Sequence, residues 1–243
     1  EPVYSKGYDG NGGLTYNLQD GNKYMLNITA KLNHGADPTR EEKGKLYTEE
    51  YPELVTDRID MYHGSDFTPS LDIYYQRNLK NKQFLAFNAV GTYMRTTRQS
   101  QYKEFLNNEP IVDYSSSVKG KKYSLIAEGI YEKSFANGGR LNTGIKHTQS
   151  YTNNLYDGTL FYHTQMRQAV SYGYVQYNGR WQKLRYGFGV GATRSWFHQD
   201  GQKEYEKWSF NPRFNLSYTF NNHWSTSLQG NANSRNPSLA DIS

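Results

Sequence analysis

The stretch that decides the fold runs from Trp208 to Phe220 and reads Trp-Ser-Phe-Asn-Pro-Arg-Phe-Asn-Leu-Ser-Tyr-Thr-Phe. Its even-numbered positions are aromatic or otherwise apolar, whereas its odd-numbered positions are all polar. Successive side chains of a β-strand point to opposite faces of a sheet. The stretch therefore predicts a long strand with one apolar and one polar face, and similar alternation recurs along the rest of the chain.

Turn residues divide the chain into about ten strands, arranged as five antiparallel hairpins. Asn and Gly accept positive φ at little cost, so we predict tight turns where they cluster between alternating stretches. The predicted turns are Asp20-Gly21-Asn22, residues 78–81, Asn137-Gly138-Gly139, Asn178-Gly179 and Asn221-Asn222. Longer loops are predicted from Asn33 to Asp66, Thr97 to Ser117, Ser150 to Thr164 and His198 to Glu206. Short turns at one rim and long loops at the other are typical of an antiparallel transmembrane β-barrel wall.

The composition fits that fold class and excludes several others. Mean hydropathy is −0.93, and no apolar run approaches the ~18 residues that a membrane-spanning helix needs. A barrel wall exposes only every second strand residue to lipid, and the 23 tyrosines suit a belt at the level of the lipid headgroups. The absence of cysteine excludes disulfides and thiol chemistry. The net charge of +5 is dispersed, so no nucleic-acid partner is predicted.

Two motifs carry weak indications of chemistry. Residues 187–192, Gly-Phe-Gly-Val-Gly-Ala, fit a relaxed dinucleotide-binding pattern, but no helix is predicted after them. We interpret them as a strand with its glycines facing the barrel interior, and we predict no cofactor. Asp57, Asp60, His63 and Asp66 recur every third residue in the first long loop and could activate water at a barrel rim. No catalytic residue or metal site is assigned, since the six histidines lack metal-ligand spacing.

Aromatic and basic residues recur near the long-loop rim. Tyr62, His63, Arg95 and Trp196 are our candidates for contacting a ligand, because such side chains stack on sugars or bind anions. The alternative is that these residues form an aromatic belt at the membrane surface.

Part of the chain resembles a known family. The stretch from Trp208 to Phe220, the stretch from Trp224 to Gly230, and Ser234-Arg235-Asn236-Pro237-Ser238-Leu239 resemble the barrel wall of TonB-dependent outer-membrane receptors. The similarity is greatest to the Bacteroidetes-type outer-membrane β-barrel family, and residues 170–192 also resemble its paired strands. This resemblance implies a 22-stranded barrel in a Gram-negative outer membrane, with a plug domain that couples to TonB.

These observations lead to one main hypothesis and two alternatives. We expect residues 1–243 to be a single β-barrel segment, without the plug domain, of a transporter for nutrient uptake in the cell outer membrane. Its partners would be membrane lipid, TonB through the absent plug region, and a small-molecule or oligomeric nutrient, and it would not be an enzyme. The first alternative is a closed ten-stranded outer-membrane protease-like enzyme with rim Asp and His residues. The second is a soluble all-β carbohydrate-binding protein, whose apolar face would be covered by protein.

Overall fold

The computed structural model describes residues 3–47, 54–158 and 161–232, and these residues form ten β-strands. The strands are β1 (Val3–Asp20), β2 (Tyr24–Leu46), β3 (Thr56–Leu79), β4 (Gln83–Leu106), β5 (Glu109–Ser134), β6 (Arg140–Gly158), β7 (Tyr162–Trp181), β8 (Leu184–Gln199), β9 (Tyr205–Thr219) and β10 (Ser225–Asn231). No helix in the described ranges is long and apolar enough to cross a membrane.

The ten strands pair in chain order, each antiparallel to the next, in one sheet. This arrangement confirms the predicted all-β fold class of consecutive hairpins. Backbone hydrogen bonds also join adjacent hairpins at their turns: the Asn78 amide donates to the Lys23 carbonyl at 2.8 Å, and the Ser134 amide donates to the Lys82 carbonyl at 3.0 Å. Within the described ranges, β1 pairs with β2 and β10 pairs with β9, and β1 and β10 do not pair with each other.

Four of the five predicted tight turns are confirmed, and one is wrong. Strands end and restart around Gly21, Asn81, Gly138 and Asn221, and the first three have positive φ. The predicted turn at Asn178-Gly179 is instead paired strand, and the chain reverses three residues later at Gln182, where φ is 52°.

The glycine of that mistaken turn has a packing role. A Cβ at Gly179 would lie 2.5 Å from Cζ of Tyr186, its partner across the strand pair. The residue is therefore glycine because an aromatic ring covers it.

Three of the four predicted long loops at the opposite rim, 33–66, 97–117 and 150–164, differ from the structure in their described residues, with 48–53 and 159–160 lying outside these; the fourth, His198 to Glu206, agrees with the connection at 200–204. Most described residues of the first three continue the ladders, so that β2 to β7 are 19 to 26 residues long. The connection between β4 and β5 consists of only Asn107 and Asn108, whose φ values of 53° and 69° match a two-residue type I′ hairpin turn. The described outer ends of the hairpins therefore extend the sheet, with register shifts between Asp37 and Arg40 on β2 and between Glu104 and Phe105 on β4.

The sheet separates apolar from polar side chains because directly paired residues share a face. One row across nine strands reads Leu18, Leu26, Tyr75, Phe87, Gly129, Ile145, Gly173, Ala192 and Phe210. The neighbouring row, on the other face, reads Asn17, Asn27, Tyr74, Asn88, Glu128, Lys146, Tyr172, Thr193 and Ser209. We call the two sides the apolar face and the polar face.

The sheet is a single layer without a hydrophobic core. Among the described residues only two hydrophobic side chains, Ala86 and Phe197, are buried. The apolar face is exposed instead, with 64% of Ile145, 65% of Phe210 and 61% of Leu228 accessible. No other layer of the described chain covers this face.

Candidate functional site

The outer end of the apolar face carries a belt of aromatic rings, which we call the outer belt. Tyr93, Tyr123 and Tyr151 face one another on β4, β5 and β6, with ring centroids 4.9 and 6.2 Å apart. The belt continues to β8, where Trp196 stacks on His198 at 6.3 Å. These rings offer both apolar surface and polar groups, the combination that suits a boundary between lipid and water.

A second belt, the inner belt, lies toward the short turns. Tyr177 of β7 lies 6.1 Å from Phe135 and 6.3 Å from Tyr186, measured between ring centroids. The ring of Tyr218, on β9, contacts that of Phe220, directly after the strand, with ring centroids 4.9 Å apart. Aliphatic and small side chains occupy most of the apolar face between the two belts.

The spacing of the belts matches the thickness of a bilayer. Tyr186 and Trp196 on β8 are ten residues apart, as are Trp208 and Tyr218 on the apolar face of β9. At about 3.3 Å per residue each interval spans roughly 33 Å along the strand. A barrel-like tilt of about 40° reduces this length to roughly 25 Å of depth, close to the ~25 Å apolar band of membrane barrels.

The three glycines of the glycine-rich stretch of β8 lie on the polar face, as the sequence predicts, under side chains from both neighbouring strands. A Cβ at Gly189 would lie 3.1 Å from Cγ of Arg213, and one at Gly191 would lie 2.7 Å from the Tyr172 ring. Arg213 in turn donates a hydrogen bond from Nη2 to the Tyr172 hydroxyl at 2.8 Å. Glycine is therefore needed here for side-chain packing, and no βαβ unit accompanies the motif in the described chain.

Beyond the outer belt, the polar face carries paired charges. Arg98 donates from Nη2 to Oδ2 of Asp66 at 2.6 Å, and this hydrogen bond raises the pKa of the Arg98 guanidinium. Farther out, Arg58 pairs with Asp60 and lies over the Tyr102 ring at 5.4 Å. These side chains form a polar wall in which arginines and tyrosines are accessible to solvent or to a solute.

A concave area lined by tyrosines adjoins this wall. Tyr114 of β5, Tyr156 of β6 and Tyr162 of β7 line it together with Ser116 and Thr164, and the Tyr156 and Tyr162 rings are 6.2 Å apart. The sequence reading missed Tyr102, Tyr114 and Tyr156 because it assigned their segments to loops. Strand alternation through residues 97–117 and 150–164 was the signal that could have placed them on one face.

The four predicted ligand contacts lie on different faces. Tyr62 belongs to the polar face, directly opposite Ser100 on β4. The apolar face carries the other three, His63, Arg95 and Trp196, as their strand pairing shows. Of these, Trp196 belongs to the outer belt. The structure therefore does not bring the four side chains together.

The four acidic and histidine positions of the enzyme alternative do not converge. They lie on β3 rather than in a loop, and a spacing of three residues alternates between the faces of a strand. Asp60 and Asp66 lie on the polar face, each paired with an arginine, whereas Asp57 and His63 lie on the other face. Among the described residues, no group of three or more His, Cys, Asp or Glu side chains could hold a metal ion.

Comparison with known proteins gives structural neighbours only. No family model matches the chain, and no curated protein does. The alcaligin outer-membrane receptor FauA of Bordetella pertussis is 13% identical, with a TM-score of 0.47, and the match covers 90% of this chain and 40% of that one. P. aeruginosa FpvA, solved with a bound pyoverdine, is 9% identical with a TM-score of 0.49, covering 90% and 40%. The ferric citrate transporter FecA is 13% identical with a TM-score of 0.46, covering 92% and 41%.

The chain thus spans about two fifths of the length of these three receptors. At such identities and TM-scores the similarity carries no functional argument.

Proposed function

We propose that this chain is a section of the wall of an outer-membrane β-barrel, within a TonB-dependent receptor for nutrient uptake. The observation that carries the proposal is the uncovered apolar face between the two aromatic belts. A soluble monomer rarely exposes an apolar patch larger than a few hundred Å². Lipid chains would cover the face of Ile145, Phe210 and Leu228, while water would solvate the polar face.

The edges of the sheet support a section of a larger barrel. Each unpaired backbone group costs several kcal/mol in lipid, so a wall is stable only when every strand edge is paired. Within the described residues the outer edges of β1 and β10 have no strand partner, and further strands of the same barrel would provide one. Residues 1–243 would then be one barrel segment, and the plug that contacts TonB would be another part of the protein.

Ligand capture would take place on the polar face beyond the outer belt. The arginines and tyrosines there, with Tyr62 among them, combine charge with flat apolar rings. Arg95 and Trp196 are better suited to the membrane boundary, because they share the face that lipid would cover and lie next to or in the outer belt. His63 lies on the same face but farther out, opposite Gln99, which is six residues beyond Tyr93 on β4. The resemblance to the Bacteroidetes-type family supports a receptor that closes on its nutrient and transports it when TonB acts on the plug.

The test uses the whole protein that contains this chain. Fractionation of Gram-negative cells should place the whole protein in the outer membrane. The periplasmic domain of TonB, immobilised on a resin, should retain the whole protein but not the 243-residue chain, because the plug supplies the contact. Retention of neither form, or recovery of the whole protein in a soluble fraction, would contradict the proposal.

A further inference from the structure

A group of basic side chains lies on the apolar face immediately outside the outer belt. Arg95 of β4 lies two residues beyond Tyr93, and Lys121 of β5 lies two residues beyond Tyr123. Lys119 follows one step farther out on the same face, and all three basic side chains are exposed. Together they line a shallow cleft with Asn153 and His163, and we call this group the basic cleft.

The cleft has uncompensated positive charge. Arg95 and Lys121 are directly paired across β4 and β5, and like charges in that position repel each other. No carboxylate among the described residues lies within 4.0 Å of the charged nitrogens of Arg95, Lys119 or Lys121, whereas Arg58, Arg98 and Arg194 all have acidic partners. A bound anion would remove this repulsion.

The position of the cleft at the edge of the lipid-facing surface indicates which kind of anion would bind there. Immediately on its membrane side are the Tyr93, Tyr123 and Tyr151 rings, and beyond them Leu125 is 45% exposed on the same face. A ligand at this place would have its charged group beside Arg95 and Lys121 and its apolar part along the lipid-facing surface. Clusters of Lys and Arg at a membrane boundary attract anionic lipids in this way.

We propose that the basic cleft binds the phosphate of an anionic lipid in the leaflet nearer the outer belt. This inference rests on the proposed membrane location. Arg95 and Lys121 would hold the phosphate between them, and Lys119 would add charge from the water side. His163, which contacts Oδ1 of Asn153 through Nε2 at 2.8 Å, would border the same headgroup.

Native mass spectrometry tests the proposal on the whole protein that contains this chain, solubilised in zwitterionic detergent. Phosphatidylglycerol should bind at least about tenfold more tightly than phosphatidylcholine. The triple variant Arg95→Gln/Lys119→Gln/Lys121→Gln should lose that preference. The matched control, Lys43→Gln/Lys45→Gln/Lys103→Gln, removes three positive charges from the same face farther from the belt and should keep it.

Three outcomes would overturn the inference. Equal binding of the two lipids, or equal losses in the two triple variants, would show that the cleft does not select an anionic headgroup. Displacement of phosphatidylglycerol by an equal concentration of inorganic phosphate would show an anion site that does not require lipid. If the protein enters bilayers but shows no headgroup preference, this inference fails while the proposed barrel function stands. If the protein does not enter bilayers, the proposed function itself fails.

Discussion

Placing a charge in the middle of the apolar face tests the proposed lipid contact. Val190 on β8 is 45% exposed, and its direct neighbours on that face are Val175 and Pro212, neither of which offers a polar partner. It lies six residues from Trp196 in the outer belt and four from Tyr186 in the inner belt. At about 3.3 Å per residue and a ~40° tilt, these separations are roughly 15 and 10 Å of depth.

Val190→Arg should therefore destabilise the protein in a bilayer by about 2–4 kcal/mol, the cost of a basic residue near the midplane of a barrel. Leu216→Arg should cost only about 0–1 kcal/mol, because Leu216 is two residues from Tyr218 and its guanidinium can reach the inner interface. The free energy of unfolding is measured by urea titration of the protein in phosphatidylcholine vesicles.

A control on the polar face separates lipid contact from general damage to the strand. Thr193 lies on β8 three residues from Val190, between Tyr172 and Ser209 in a polar row. Thr193→Arg should change the free energy of unfolding by less than about 1 kcal/mol, because its side chain lies on the polar face, which water would solvate. Equal costs for Thr193→Arg and Val190→Arg, or for Val190→Arg and Leu216→Arg, would refute the reasoning.

Two further predictions concern packing and pH. Gly191→Ala should lower the free energy of unfolding by about 1–3 kcal/mol in the same assay, because the new Cβ would lie 2.7 Å from the Tyr172 ring. The control, Gly129→Ala, should be neutral or slightly stabilising, because its Cβ would contact only an Ile side chain at 3.8 Å. A costly Gly129→Ala together with a neutral Gly191→Ala would contradict this packing. Glu206 accepts a hydrogen bond from Arg194, and this bond lowers the pKa of the Glu206 carboxyl. The contribution of this ion pair to stability should therefore be present above the ordinary glutamate pKa. It should be lost as pH falls through the lowered pKa. Carboxyl-labelled NMR titration should show Arg194→Gln raising that pKa, and an unchanged value would exclude the ion pair as its cause.

Strand alternation was sufficient to predict the sheet and, on strands other than β4, which side chains share a face. The alternation between Trp208 and Phe220 placed Phe210 and Phe214 on the exposed apolar face, where the structure has them. On β4 both sets of alternate positions contain apolar residues, so the sequence alone did not show which set faces the apolar side. Strand pairing places Phe87 on the apolar face, because it lies opposite Tyr75 on β3 and Gly129 on β5.

The outer extensions and the candidate site were harder to predict, for a physical reason. Outside the apolar band both faces of a strand meet water, so polar residues on both faces no longer reveal alternation. The segment from Thr97 to Ser117 therefore resembled a loop, although Asn107-Asn108 marked its two-residue turn. Once these segments are strands, Tyr62 and His63 must point to opposite faces, which the sequence did not reveal, and their contact with a ligand stays a prediction.

Depth-resolved fluorescence quenching tests the central claim most directly. The protein is placed in vesicles whose lipids carry bromine at a known depth along the acyl chain, and single-tryptophan variants report contact with it. Tryptophan at Ile145 should be quenched most strongly by bromine near the bilayer centre, and native Trp208 by bromine near the headgroups, whereas tryptophan at Lys146 should be quenched weakly at every depth. Equal quenching of the tryptophans at Ile145 and Lys146, or no quenching of either, would contradict the account that this sheet is a barrel wall with one face in lipid.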